Sequence, residues 1–512
     1  MCIDSRSAMG ERMASFHDLP RDAVMCVARM TAEQYSLKQA LSLGCVCTSA
    51  RAGVNAYLAA CSVLHFADCT STTSIAPVLT RARSPLARLA LIGCNASAVP
   101  ASFLGCKQLD LTRSCPPSAL ARTIHSSKPR LTAVDLSGTT VDRTVVYELC
   151  DDNYSDGLSE LYLTRCNASA PIEHLMRLLL AHSYSLRFLD VSETKPALSA
   201  LSMVLLSNHS ALPSLVHLAA SASESSSTRL LEPLAHGACP KLQHLNLSCI
   251  NDLDDATLRS ISTSHPHLEH VELIATAVSD PSPLLLNCRK LEGLDLRRSL
   301  VNLSVLTEGL RQAGTLNHLN ALLASGFGAG SLSAFARTLS DCAPSLTTLM
   351  LSEMHSTLVD DCEAATALPL TLRTLMIDST PSPAFISALA SNRELRHLAM
   401  DAEKMQRYHL QQLAKHHQEY LHDLKLESVS KTASKQIVEL APLRKLQRLL
   451  VTGVREHSGG VASLLRSGVP ALKELNIIAR EREPSEELVA ALNERRRGEE
   501  NEMMVRFNFK QI

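Results

Sequence analysis

Tryptophan is absent from this chain, and aromatic residues make up only 3% of it. Any core must therefore be built from Leu, Val, Ile and Ala. No run of about 18 apolar residues occurs, the length that a helix needs to span a bilayer, so no transmembrane helix is expected. The opening Met1-Cys-Ile-Asp-Ser-Arg lacks the apolar stretch of a signal peptide. Charge of neither sign dominates: 50 basic residues face 51 acidic ones, net −1. That balance argues against nucleic acid or an anionic membrane as the principal partner. Cys-x-x-Cys pairs are missing; Cys45-x-Cys47 comes nearest. The sixteen cysteines are scattered, and several, Cys94, Cys166, Cys239, Cys288 and Cys342, fall at repeat positions. They read as reduced core residues of a protein inside the cell, in cytoplasm or nucleus. Gly326-Phe-Gly328-Ala-Gly330 lacks the Lys-Ser/Thr of a phosphate loop and reads as a turn. His416-His417 has the wrong spacing for two metal ligands on one helical face and reads as solvated helix. No catalytic constellation can be located, so neither an enzyme nor a bound metal or cofactor is expected.

What is abundant is repetition. Leu-x-x-Leu-x-Leu recurs at least sixteen times between Leu86 and Ile512, every 20 to 32 residues. Clear copies begin at Leu131, Leu158, Leu186, Leu242, Leu268, Leu291, Leu346 and Leu372, later ones at Leu395, Leu421, Leu446 and Leu472. Weaker copies begin at Leu86, Cys106, Leu215 and Leu316; Cys61–Cys69 has the spacing of a first strand and Met504–Phe509 that of a closing one. Alternating apolar residues within a copy predict a short strand with one buried face. The segments between have helical spacing. After Leu247, Asn251–Asp255 offers helix caps, and Leu258 and Ile261 share one face. One strand and one helix cannot bury their own apolar sides, but stacked units form a continuous core.

These residues resemble the leucine-rich-repeat family, and the cysteine-containing subtype best. Cys239-Pro-Lys-Leu-Gln-His-Leu-Asn-Leu-Ser-Cys249 carries the pattern, as does Cys288-Arg-Lys-Leu-Glu-Gly-Leu-Asp-Leu296. The resemblance implies an α/β solenoid, a horseshoe of about seventeen repeats over residues 61–512, with a parallel sheet on the concave face and helices on the convex face.

The first residues follow another pattern. Residues 1–15 are expected to be disordered, and 16–60 to form three short helices: one led by Asp18-Leu19-Pro20 with a stripe through Val24 and Val27, one through Leu37–Leu43, one from Thr48. This segment resembles an F-box in Leu19-Pro20-Arg21-Asp22 and in the later Val46-Cys47. Ala50 stands where that family carries Trp or Phe, and Arg51 is the basic residue that remains beside it. The resemblance implies docking onto a Skp-type adaptor and, through it, a cullin complex, with Leu19, Pro20, Val24, Val27, Val46 and Cys47 at the contact or in its core. A plain helical cap over the first repeat is the other reading.

Two columns are expected on the concave face. One runs Asp110, Asp135, Tyr162, Asp190, Ala219, Asn246, Glu272 and Asp295, then Asn320 and the largely apolar Met350, Met376, Ala399, Lys425 and Leu450. Its acidic part suits a basic segment of a protein partner, or is merely a solvated face. The other runs His217, His244, His270, Gly293 and His318, with His397 later. It is polar filler, a metal site or a pH sensor. Tyr162, Phe188, Arg297 and Arg448 are the expected anchors, because interface hot spots favour Tyr and Arg. The function expected is substrate recognition for a cullin-type ubiquitin ligase. The alternatives are a scaffold built from the same repeats, and a regulator of a small GTPase or a nuclease.

Overall fold

The computed structural model describes residues 63–67, 75, 78–80, 86–100, 103, 105–114, 116–127, 131–150, 157–208, 211–222, 228–325, 332–352, 362–454, 459–467, 469–479, 486–498 and 504–509. The F-box-like stretch 16–60 lies outside these residues. The chain divides into two compact units, one reaching Val204 and the other running from Leu205.

In the first unit the strands Val63–Ala67, Leu86–Ile92, Cys106–Asp110, Ala133–Asp135, Glu160–Tyr162 and Phe188–Asp190 pair in sequence order, every pair parallel. The second unit repeats the arrangement from His217–Ala219 to Met504–Phe509. Helices or helical turns alternate with the strands in both. The protein is an α/β leucine-rich-repeat solenoid, as the leucine periodicity predicts. The edge strands foreseen at Cys61–Cys69 and Met504–Phe509 are both present.

Helix starts follow local chemistry. Asp254 caps the helix Asp255–Ser264 by accepting from the Thr257 amide at 2.8 Å, and Leu258 and Ile261 are buried on its inner face. Asp142, Asn302, Ser382 and Ser430 cap their helices in the same way, each cap contributing about 1 kcal/mol. The repeat leucines are almost wholly inaccessible, and Phe335 and Phe385 are the largest fully buried side chains. Each buried leucine contributes about 1.5–3 kcal/mol.

A second regularity lies where each strand leaves the sheet. Three residues past the acidic column the backbone turns left-handed, at Gly93, Arg113, Gly138, Arg165, Glu193, Cys249, Ala275 and Arg298, with φ between 54° and 68°. Non-glycine residues tolerate this because the amide there donates across the repeats: Arg113 to the Ser137 carbonyl at 2.8 Å, Cys249 to that of Ile274 at 2.7 Å. One position later, except at Ile250, stands a Ser, Thr or Cys; Thr139 and Cys166 both bind the Leu136 carbonyl.

The register differs from the sequence reading at one repeat. Asp295 pairs with Leu323 and Gly293 with Ala321. Asn320 and His318 therefore precede their strand and belong to neither column. Leu316, Leu319 and Leu322 are spaced three apart and all buried, so the leucines alone permit a frame three residues early. Hydrogen bonding selects the frame Leu319-x-x-Leu322-x-Ala324.

Candidate functional site

The open face of each sheet, away from the helices, carries the expected columns. In the first unit Asp110, Asp135, Tyr162 and Asp190 are consecutive cross-strand neighbours. The acids also have a structural role. Asp110, Asp135 and Asp190 each turn one carboxylate oxygen onto the amide two residues ahead, at 3.1, 2.9 and 2.9 Å, and so shape the turn that leaves the strand. Asn246 and Asp295 repeat the contact with the amides of Ser248 and Arg297. A short polar side chain at this position is therefore explained by the backbone, apart from any partner.

The column's environment still changes along it. Asp110 is buried and faces Arg88 at 3.5 Å. Asp135, Glu160 and Asp190 meet no cation among the described residues. Tyr162 sits among them, its hydroxyl donating to Glu160 at 3.3 Å and its ring 4.5 Å from that of Phe188. Burial first, and then Glu160, Asp135 and Asp190, push the phenol up to about 12. Arg88, Asp110, Asp135, Glu160 and Tyr162 border a hollow of about 360 Å³ floored by Leu109 and Val134.

In the second unit Glu272 accepts from the Asn246 amide at 2.7 Å. Burial, with Asp295 nearby, raises its carboxyl above the usual range. Asp295 is buried beneath Arg297, whose Nε and Nη2 reach it at 3.0 and 2.6 Å. Arg297 is thus engaged by its own strand, with Nη1 3.9 Å from the Met350 sulfur. Arg448 belongs to later strands and is held by both carboxylate oxygens of Asp423. It borders a largely apolar hollow of about 470 Å³ with Met376, Ala399 and Leu450.

The histidine column is a stack. The rings of His217 and His244 lie 3.7 Å apart and nearly parallel, those of His244 and His270 4.5 Å apart. Stacked rings expose their faces to one another, so their nitrogens do not converge on one point as a metal requires. Gly293 ends the stack because His270 lies over it: a Cβ there would come within 2.6 Å of the imidazole Nδ1. Burial, reinforced by His217 and His270, pushes the His244 imidazole down to about 4.

Sequence reasoning missed a further histidine set. His182, His265 and His417 are buried, and each Nε2 donates to a carbonyl near the end of the preceding repeat's helix: Leu149 at 2.7 Å, Leu234 at 2.9 Å, Ile386 at 3.1 Å. His417 had read as part of a solvated helix. The signal that finds these residues is a histidine at a helix end, just before a repeat's first leucine.

Among the described residues no cluster of three or more His, Cys, Asp or Glu is placed to hold a metal ion. No helix among them is long and apolar enough to cross a membrane. The expected adaptor contacts Leu19, Pro20, Val24, Val27, Val46 and Cys47 lie outside the described residues. No family model matches the chain, and no curated protein does. Among solved structures, a leucine-rich-repeat protein of Leptospira interrogans is 14% identical with a TM-score of 0.34, over 78% of this chain and 92% of that one. A chain of the yeast Rad7–Elc1 complex is 14% identical with a TM-score of 0.35, over 62% and 91%. The repeat architecture itself rests on the strand ladders and the leucine core.

Proposed function

We propose that this chain is a substrate-recognition subunit of a cullin-type ubiquitin ligase, acting in cytoplasm or nucleus. The observation that carries this reading is the order of the sequence: Leu19-Pro20-Arg21-Asp22 and Val46-Cys47, in an F-box-like segment, directly before a leucine-rich-repeat solenoid. In this role the first segment docks a Skp-type adaptor, and the open sheet face holds a protein substrate near a ubiquitin-charged enzyme. The chain contributes proximity and supplies no bond-making group.

The test is capture of the adaptor by the full chain, with Leu19→Ala/Pro20→Ala as the control. Saturable capture lost in the double variant is expected. An adaptor that ignores the wild-type chain would sink the ubiquitin role and leave an interaction scaffold with a helical cap. In that case the regulator alternative is checked by titrating the chain against a small GTPase or a nuclease.

A further inference from the structure

The hollow around Tyr162 combines features that point to one class of occupant. Its floor, Leu109 and Val134, is apolar and buried. One wall is the half-buried ring of Tyr162, backed by the ring of Phe188 with centroids 4.5 Å apart. Ring faces attract a cation by their quadrupole, most strongly where water is partly excluded. Charge complementarity agrees: Asp135 and Asp190 flank Tyr162 on the two adjacent strands, and Glu160 lies two residues before it on the same face. Arg88 is spoken for by Asp110, and none of the other three carboxylates has a cationic partner among the described residues. Neighbouring strands lie about 4.8 Å apart, so one planar cation against the Tyr162 ring is within reach of Asp135 and Glu160.

We propose that this hollow binds an arginine side chain of a partner peptide, with the guanidinium stacked on Tyr162 and its N–H groups directed to Asp135 and Glu160, Asp190 adding to the negative field from beyond the ring. Arginine fits better than lysine because its guanidinium is planar, weakly hydrated and able to fork between two carboxylates. The proposal rests on the reading that the open sheet face binds a protein partner, and it is independent of the adaptor.

The experiment uses the full chain and fluorescein-labelled nonapeptides of Gly and Ser with a central Arg, Lys or citrulline. Citrulline keeps the shape of arginine and lacks its charge. Two variants accompany the wild type: Asp135→Asn/Glu160→Gln/Asp190→Asn, which keeps the acceptors that shape the turns, and Tyr162→Leu, which keeps an apolar wall. The expected result is saturable binding of the Arg peptide, about tenfold weaker for citrulline and for the neutralised variant, a difference of about 1.4 kcal/mol. Tyr162→Leu should bring Arg and Lys to equal affinity, and the salt dependence should vanish with the three charges. Equal binding of Arg and citrulline peptides would overturn the proposal. So would unchanged binding by the neutralised variant, or no saturation by about 1 mM. Failure here with adaptor capture intact removes only this site; loss of adaptor capture with Arg binding intact removes only the ubiquitin role.

Discussion

The imidazole of His182 reaches back one repeat to the carbonyl of Leu149, 2.7 Å away, while its other nitrogen accepts from the amide of Leu158 at 3.2 Å. Both nitrogens are used, so the ring is fixed as the neutral Nε2–H tautomer, and burial lowers its pKa. His182→Ala would leave a buried carbonyl and a buried amide without partners. The expected cost is about 2–4 kcal/mol, read as a lower urea midpoint. An unchanged midpoint would show that the contact contributes nothing.

His265 and His417 make the same kind of contact, and their pKa values are also depressed. Below about pH 6.5 the unfolded chain binds protons that these folded imidazoles refuse. Their contribution is complete above that pH and falls as pH drops towards the lowered folded values. The thermal midpoint should therefore fall between pH 7 and pH 5, and fall less steeply when His182 and His265 are replaced by Asn. A flat profile across that interval would contradict the assignment.

Asp135 separates the structural use of the acidic column from its charge. Asp135→Asn keeps an oxygen for the Ser137 amide and should leave stability nearly unchanged, whereas Asp135→Ala removes the bond and should cost about 1 kcal/mol. Denaturant melts of the two variants decide it. Equal destabilisation by both would mean that charge, and not the turn, sets the residue.

The stacked histidines can be tested by titration. His244 is held down to about 4 by burial first and then by its two imidazole neighbours. His270→Ala removes one neighbour and opens one side to water. The protonation midpoint of His244, followed by NMR, should rise towards the ordinary histidine value. A midpoint that stays put would show that His270 plays no part in holding it down.

The sequence revealed the solenoid well because leucine spacing is the cause of stacking: the residues that set the period are those that fill the core. The same strength misled at Leu316, where three leucines spaced three apart fit two frames and only the hydrogen-bond ladder chose between them. Apart from Asn320 and His318, the column residues were legible as a list, but their uses were not. Asp110 and Asp295 are buried against Arg88 and Arg297, while Asp135 and Asp190 stay half-buried without a cation. The difference depends on which strand lies beside each, and spacing within one repeat carries no such information. His182, His265 and His417 were invisible for a related reason, because each answers to a carbonyl 31 to 33 residues earlier.

The buried thiols give the solenoid a built-in clock. Burial lifts Cys106, Cys239 and Cys288 to about 12, so almost none of the reactive thiolate exists near neutral pH while the repeats stay closed. Each becomes susceptible to an alkylating reagent when its own repeat opens. Cys106 belongs to the first compact unit, Cys239 and Cys288 to the second. The order in which a dilute reagent marks them would record where the chain breathes first, with no engineered label.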